Sequence, residues 1–241
     1  DLSLYYPPVY IRGKKVAHLL TSRGCPFQCT FCETKLTFGR SFRYHSTQRV
    51  ISDLEDLIGR GYRSFQFYDD IFTANKKRCK ELLRGMIQRD LTPQWGAQVR
   101  TETVDDPELL QLMRDSNCFN VYVGFESINP RTLKLFQKKQ DLAKIERAIE
   151  RFHAHKIRIH GMFVVGADTD TPETVRATVD FALEHGVDTP TPDVVHQVPA
   201  HALAGHPLEH VTWRPVPAQT DLHEILAPDR TGLDEAPHRS A

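Results

Sequence analysis

Three stretches decide the fold class: FNVYVGF at residues 119–125, LAKIERAIERFHA at 142–154 and IRIHGMFVV at 157–165. The first and third are short, β-branched and aromatic, and read as strands. In the second, Ile145, Ala148, Ile149 and Phe152 recur at helical spacing and form one apolar stripe. A strand, an amphipathic helix and a second strand in that order predict a parallel strand pair with a crossover helix.

The same unit repeats on both sides. Toward the amino terminus, Ala17–Thr21, Ser64–Tyr68 and Gln94–Val99 read as strands, and 48–59, 76–89 and 106–116 as helices. The helix at 106 opens with Asp-Pro, a cap followed by proline in the first turn. Toward the carboxyl terminus, Thr-Pro-Glu at Thr171 opens a helix over 171–185. Five strand–helix units predict an α/β fold with a parallel sheet. Right-handed crossovers curl such a sheet toward a barrel, with chemistry at the carboxyl ends of the strands. The chemistry-bearing residues fall there: Cys25–Cys32, Asp69 and Asp70, Arg100, Glu126, and Gly166 with Asp168.

The 241 residues carry 31 basic and 31 acidic side chains, a formal charge of zero. That balance argues against a broad nucleic-acid face. The sequence has no apolar run of membrane-spanning length and no secretory signal, so a cytoplasmic protein without a membrane partner is expected. It begins at Asp1 rather than Met, which suggests a fragment. Residues 1–16 are broken by proline and read as a lead-in segment or linker.

Beyond Asp188 the composition shifts. Six of the twelve His and eight of the fifteen Pro lie there, with no Lys, Phe or Tyr. The sequence predicts no sixth strand in this stretch, and a barrel truncated after the fifth unit. Residues 189–241 read as a Pro/His-rich tail, either disordered, frame-shifted or, least simply, metal-binding. If the tail replaces the sixth unit, an open and inactive barrel is expected.

Three of the five cysteines crowd into RGCPFQCTFC as Cys25-x3-Cys29-x2-Cys32. An odd count and tight clustering fit metal ligation better than disulfides. Three thiolates on one loop can hold three irons of a [4Fe–4S] cube and leave the fourth open. A zinc site lacking its fourth ligand, or reduced structural thiols, are the alternatives from spacing alone.

The motif C-x3-C-x-aromatic-C, with Phe31 at the aromatic position, resembles the radical S-adenosylmethionine (SAM) family. FGRSFRYHS, FYDDIFTAN, the GFES turn and HGMFVVGADTDTPETV extend the resemblance over about residues 16–188. They resemble the class in which a cobalamin-binding domain precedes the core, of the anaerobic magnesium-protoporphyrin monomethyl ester cyclase type. The resemblance implies a partial (β/α)6 TIM-like barrel over 17–188. It further implies an enzyme that reductively cleaves SAM at the cluster to a 5′-deoxyadenosyl radical, linked through cobalamin to methyl transfer or oxidative cyclisation.

Site residues follow from the same resemblance. Cys25, Cys29 and Cys32 would ligate the cluster, and Phe31 would lie by the adenine. The family commonly has Gly-Gly-Glu after strand two; Asp69 or Asp70 would here take the SAM ammonium. Glu126 would contact ribose or the methionine end, and Arg100 the carboxylate. Gly161 and Gly166 would let the backbone approach adenine. A small-molecule substrate and a flavodoxin- or ferredoxin-like reductant are implied. A methylthiotransferase-like RNA-modifying enzyme and a non-catalytic iron–sulfur or zinc module are the rival readings. Cys79, Cys118, His153, His155 and the Lys138-Lys139 pair read as structural or solvated.

Overall fold

The computed structural model describes residues 10–11, 14–39 and 41–194, with side chains over 15–39 and 41–189. Its frame is a seven-stranded sheet. Strand β1 (Tyr10–Ile11) pairs antiparallel with β2 (Lys14–Leu19). Every other neighbour is parallel, in the order β2, β5 (Ser64–Phe67), β6 (Gln94–Val99), β7 (Cys118–Glu126), β8 (Arg158–Val165) and β9 (Thr189–Val194). A two-stranded ribbon, β3 (Ser22–Arg23) with β4 (Arg43–Tyr44), stands apart from it.

The sixth parallel strand corrects the expectation that none follows Asp188. Thr189–Val194 runs beside β8 in continuous register from His160↔Thr189 to Val165↔Val194. Its sequence, TPTPDV, carries two prolines and so argues against a strand. The prolines occupy alternate positions, however, so both missing N–H groups fall on one side of the strand. An end strand tolerates that, because only its other side must pair. Truncation after the fifth unit is thus amended to six parallel strands; residues 195–241 lie outside the described ones. At the other end, β2 begins at Lys14, inside the stretch read as a linker.

The helices form where caps meet apolar stripes. Ser46, Asn75, Asp106 and Asp141 each accept from the backbone N–H three residues on, opening α2 (Thr47–Gly59), α3 (Lys76–Gln88), α4 (Pro107–Asp115) and α6 (Leu142–Ala154). Thr171 closes a reciprocal capping box at α7 (Pro172–Glu184). Two short helices were not expected from the sequence, α1 (Thr34–Phe38) and α5 (Pro130–Leu135), although Asn129-Pro130 is a cap followed by proline.

One face of the sheet packs on these helices. Phe65 and Phe67 of β5, Trp95 and Ala97 of β6, and Val121, Val123 and Phe125 of β7 are at most 1% exposed. They meet Leu54, Leu82, Leu83, Met86, Leu109, Ile145 and Phe152 in one core. Burying each large side chain contributes about 1.5–3 kcal/mol, which makes this layer the main stabilising term. Cys79 and Cys118 belong to it as free thiols. Burial pushes the Cys79 thiol up to about 12 and Cys118 well above the ordinary value, so both are inert. Among the described residues no helix is long and apolar enough to cross a membrane.

Candidate functional site

The cysteine loop leaves the carboxyl end of β2 and is pinned at both ends. His45 N–H donates to Thr21 O at 2.9 Å, and the β3–β4 ribbon zips the flanking residues. From α3, buried Arg78 donates to Thr21 O (3.1 Å), Thr21 Oγ1 (3.3 Å) and His45 O (3.1 Å), and so holds the neck of the loop. Gly24 sits at φ +85°, where any Cβ would run into Ser41 O, so this turn requires glycine.

Asp69, fully buried after β5, accepts from Thr21 N (2.6 Å), Thr21 Oγ1 (2.5 Å) and Ser22 Oγ (2.6 Å). Both of its oxygens are engaged within the protein, so Asp69 anchors the loop. Its neighbour Asp70 is partly exposed, accepting from Gly24 N at 2.8 Å and, loosely, from Thr34 Oγ1 at 3.5 Å.

The loop's far side is tied to the end of α5. Thr30 N donates to Phe136 O (3.1 Å) and Thr30 Oγ1 to Leu135 O (2.9 Å). Phe31 packs its ring against Phe136 at 4.7 Å. Cys29 is buried, while Cys25 and Cys32 are partly exposed. Burial raises the Cys25 thiol pKa, the Phe27 N–H lowers it, and the nearby Cys32 and Cys29 thiols push it further up.

Arg100, at the carboxyl end of β6, points into the same place. Its guanidinium lies 3.9 Å from the centre of the Phe27 ring, and Nη1 is 3.8 Å from Cys29 Sγ. Nε donates to Glu102 at 2.5 Å and Nη2 to Lys138 O at 2.8 Å. Those contacts place Arg100 at a cysteine sulfur.

Glu126 ends β7 at a bulge with φ +63°, a strained conformation for a side chain of its size. It is 7% exposed and forms an ion pair with Lys138, itself 6% exposed. Lys138 Nζ also donates to Gly124 O at 2.7 Å, and Gln140 Nε2 to Phe125 O at 2.6 Å. A Cβ on Gly124 would collide with both charged groups. Lys138, read from sequence as solvated, is therefore a buried partner, and it links Glu126 through its carbonyl to Arg100.

Gly166 stands apart. At φ +105° it donates its N–H to Asp170 at 2.9 Å within its own loop. Gly161 faces the core instead, where a Cβ would meet Val187 and Phe125. Sequence reasoning missed Thr21, Ser22, Arg78, Lys138 and Gln140, and only the proximity of Thr21-Ser22 to the cysteines carried a signal.

Among the described residues, no three His, Cys, Asp or Glu side chains converge closely enough to grip a single metal ion. A cube takes each protein thiolate on a different iron, so three cysteines from one loop suffice to hold it. Three thiols on a braced loop, with a guanidinium beside one of them, fit that group. The sequence model of the Radical SAM superfamily matches residues 19–182. The chain belongs to the radical SAM superfamily.

Within this superfamily it is 34% identical over 176 residues to bacteriochlorophyllide d C-12(1)-methyltransferase of Chlorobaculum tepidum, covering 71% of this chain and 38% of that protein. It is 32% identical over 174 residues to the anaerobic magnesium-protoporphyrin IX monomethyl ester cyclase of Cereibacter sphaeroides, covering 70% and 28%. This radical SAM chain thus spans well under half the length of those relatives. Its fold superposes on the radical SAM methyltransferase TsrM of Kitasatospora setae, solved with cobalamin and a [4Fe–4S] cluster, with TM-score 0.68. That match is 22% identical and covers 76% of this chain and 37% of TsrM.

Proposed function

We propose that this chain is the core of a radical SAM enzyme that works with cobalamin as a methyltransferase or oxidative cyclase on a small molecule. The observation that carries the reading is the loop of Cys25, Cys29 and Cys32, pinned at the carboxyl end of the sheet with Arg100 at Cys29. When bound, the cluster and SAM would supply one-electron cleavage of the sulfonium to a 5′-deoxyadenosyl radical. The names of the relatives support the two reaction types, and the cobalamin in the TsrM structure supports that cofactor. Cobalamin itself would be held outside the residues described.

The chain's own residues position and shield. Asp69 and Arg78 fix the neck of the loop, so the three thiolates start from one geometry. Arg100 sets a positive charge beside Cys29. Asp70, with spare acceptor capacity, is the candidate for the SAM ammonium, a charge-assisted hydrogen bond. Glu126, paired with Lys138, is the candidate for the ribose hydroxyls. Phe31 and Gly166 are candidates for the adenine end. The core, expected over residues 17–188, would also take in β9 (Thr189–Val194). A flavodoxin- or ferredoxin-like protein is the proposed electron source.

Anaerobic reconstitution with iron and sulfide, followed by dithionite and SAM, tests this reading. The expected product is 5′-deoxyadenosine, absent in a Cys25→Ala variant. A full cluster that leaves SAM intact would overturn it.

A further inference from the structure

Helix α5 and the turn after it brace the cysteine loop. Leu135 O and Phe136 O accept from Thr30, and the Phe136 ring packs on Phe31. The turn makes a second connection: Lys138 O accepts from Arg100, whose Nη1 is 3.8 Å from Cys29 Sγ. Thr30 follows Cys29 in the chain, so both connections end at one thiol. Two routes of covalent and hydrogen bonds thus run from residues 135–138 to a candidate cluster ligand. Electron tunnelling decays more slowly through bonded atoms than across a gap, so an electron arriving at this segment has a bonded way in.

The same segment meets solvent at a groove of about 410 Å³, whose lining includes Leu133, Lys134, Gln137, Lys139 and Leu142. Lys134 and Lys139 are exposed, as is Arg131 one turn earlier on α5, and none of the three pairs with an acid among the described residues. The acid in the lining, Asp141, is occupied: Oδ1 accepts from Lys144 N at 2.9 Å, and Oδ2 lies 3.6 Å from Lys144 Nζ. Lys144 donates in turn to Lys139 O at 3.1 Å, which brings a further ammonium to the rim. The rim therefore carries an excess of positive charge, although the whole chain is neutral.

We propose that this groove is the docking site of an acidic one-electron donor protein of the flavodoxin class, whose electron reaches the cluster through residues 135–138. The inference rests on the radical SAM reading and adds to it the place where the electron enters. In that reading SAM takes the fourth iron, and a primary carbon radical attacks whatever it meets. The mouth that admits SAM cannot then stay open to a protein donor, so the electron has to cross the wall elsewhere. In the transfer, the donor's anionic flavin hydroquinone becomes the neutral semiquinone and the cluster passes from its oxidised to its reduced state. One electron moves and no proton does. Redox encounters bury less than about 1,200 Å² in total, so a small charged rim is enough to orient one. Complementary charge raises such association rates by about 10–1,000-fold.

The test mixes the anaerobically reconstituted full chain with flavodoxin hydroquinone at low salt in stopped flow, following the rise of semiquinone absorption. Dithionite, followed by bleaching of the cluster, is the small-molecule control. In the double variant Lys134→Glu, Lys139→Glu, reduction by flavodoxin is expected to slow by at least about tenfold and to lose its decrease with added salt. Binding of oxidised flavodoxin, measured by calorimetry, should weaken in parallel. Reduction by dithionite and the SAM-induced change in the electron paramagnetic resonance spectrum should match the wild type. Arg114→Glu, Lys156→Glu makes the same change of charge at the amino ends of the strands, and should slow flavodoxin by less than about threefold. Should the groove variant lose iron, Lys134→Glu alone repeats the comparison at one exposed position. Flavodoxin reduction that is absent in the wild type, unchanged in the groove variant or slowed equally by both double variants overturns the proposal. Equal slowing with dithionite also overturns it, since the lysines would then act on the cluster and not on the donor. A wild-type cluster that dithionite reduces but that leaves SAM intact would count against the enzyme reading, whereas the flavodoxin rates separately score the groove.

Discussion

Lys138 and Glu126 form an ion pair shut inside the protein at the end of β7, and the carbonyl of the same lysine receives Arg100. The cysteine loop and the strained Glu126 are therefore joined through one residue. A buried pair of this kind is costly to break, because the surviving charge has no water to turn to.

Lys138→Met should accordingly destabilise the chain by about 3–5 kcal/mol in urea unfolding. The double variant Lys138→Met, Glu126→Leu should recover much of that loss, since neither charge is stranded. The double variant, which lacks the carboxylate proposed to meet SAM, should show a weakened SAM-induced change in the cluster spectrum.

Asp69→Ala should strand Thr21, Ser22 and Arg78 around an empty anchor point. The expected cost is again about 3–5 kcal/mol, read as a lowered melting temperature. Iron uptake on reconstitution should fall even at temperatures where the variant stays folded, because the neck of the loop is no longer fixed.

Arg100→Gln keeps a polar side chain but removes the positive charge 3.8 Å from Cys29 Sγ. The reduced cluster carries more negative charge and loses more stabilisation than the oxidised one. The midpoint potential, followed spectroscopically in a redox titration, should become more negative.

Asp188 ties the start of β9 to the sheet. It accepts from Ile159 N at 2.9 Å, His153 Nε2 at 3.0 Å and Arg158 Nε at 3.1 Å. Burial alone would raise its pKa, but these three partners outweigh that and hold it below the ordinary value. A depressed carboxylate pKa stabilises the fold above the unfolded value of about 4, and the contribution fades as pH falls through the folded value. Asp188→Asn should therefore lower stability at pH 7 and have little effect near pH 3, as measured by denaturant unfolding.

Much of this was legible in the sequence. Strand and helix positions followed from periodicity and from caps such as Asp106-Pro107 and Thr171-Pro172, whose chemistry is local. The cysteine spacing was equally local. The rest depended on partners distant in sequence. Nothing near Asp69 shows that Thr21, 48 residues away, will consume its oxygens. Nothing near Lys138 distinguishes it from exposed Lys139, since lysine is rarely buried unless paired and the pairing is tertiary. The sixth strand was masked by prolines whose harm depends on which side of the strand they face.

The central claim is that Cys25, Cys29 and Cys32 hold one iron–sulfur cube. Iron and sulfide analysis of the anaerobically reconstituted chain, set beside a variant with all three changed to alanine, tests it most directly. The account predicts about four irons per chain in the wild type and essentially none in the variant. Equal iron in both, or none in the wild type, would contradict it.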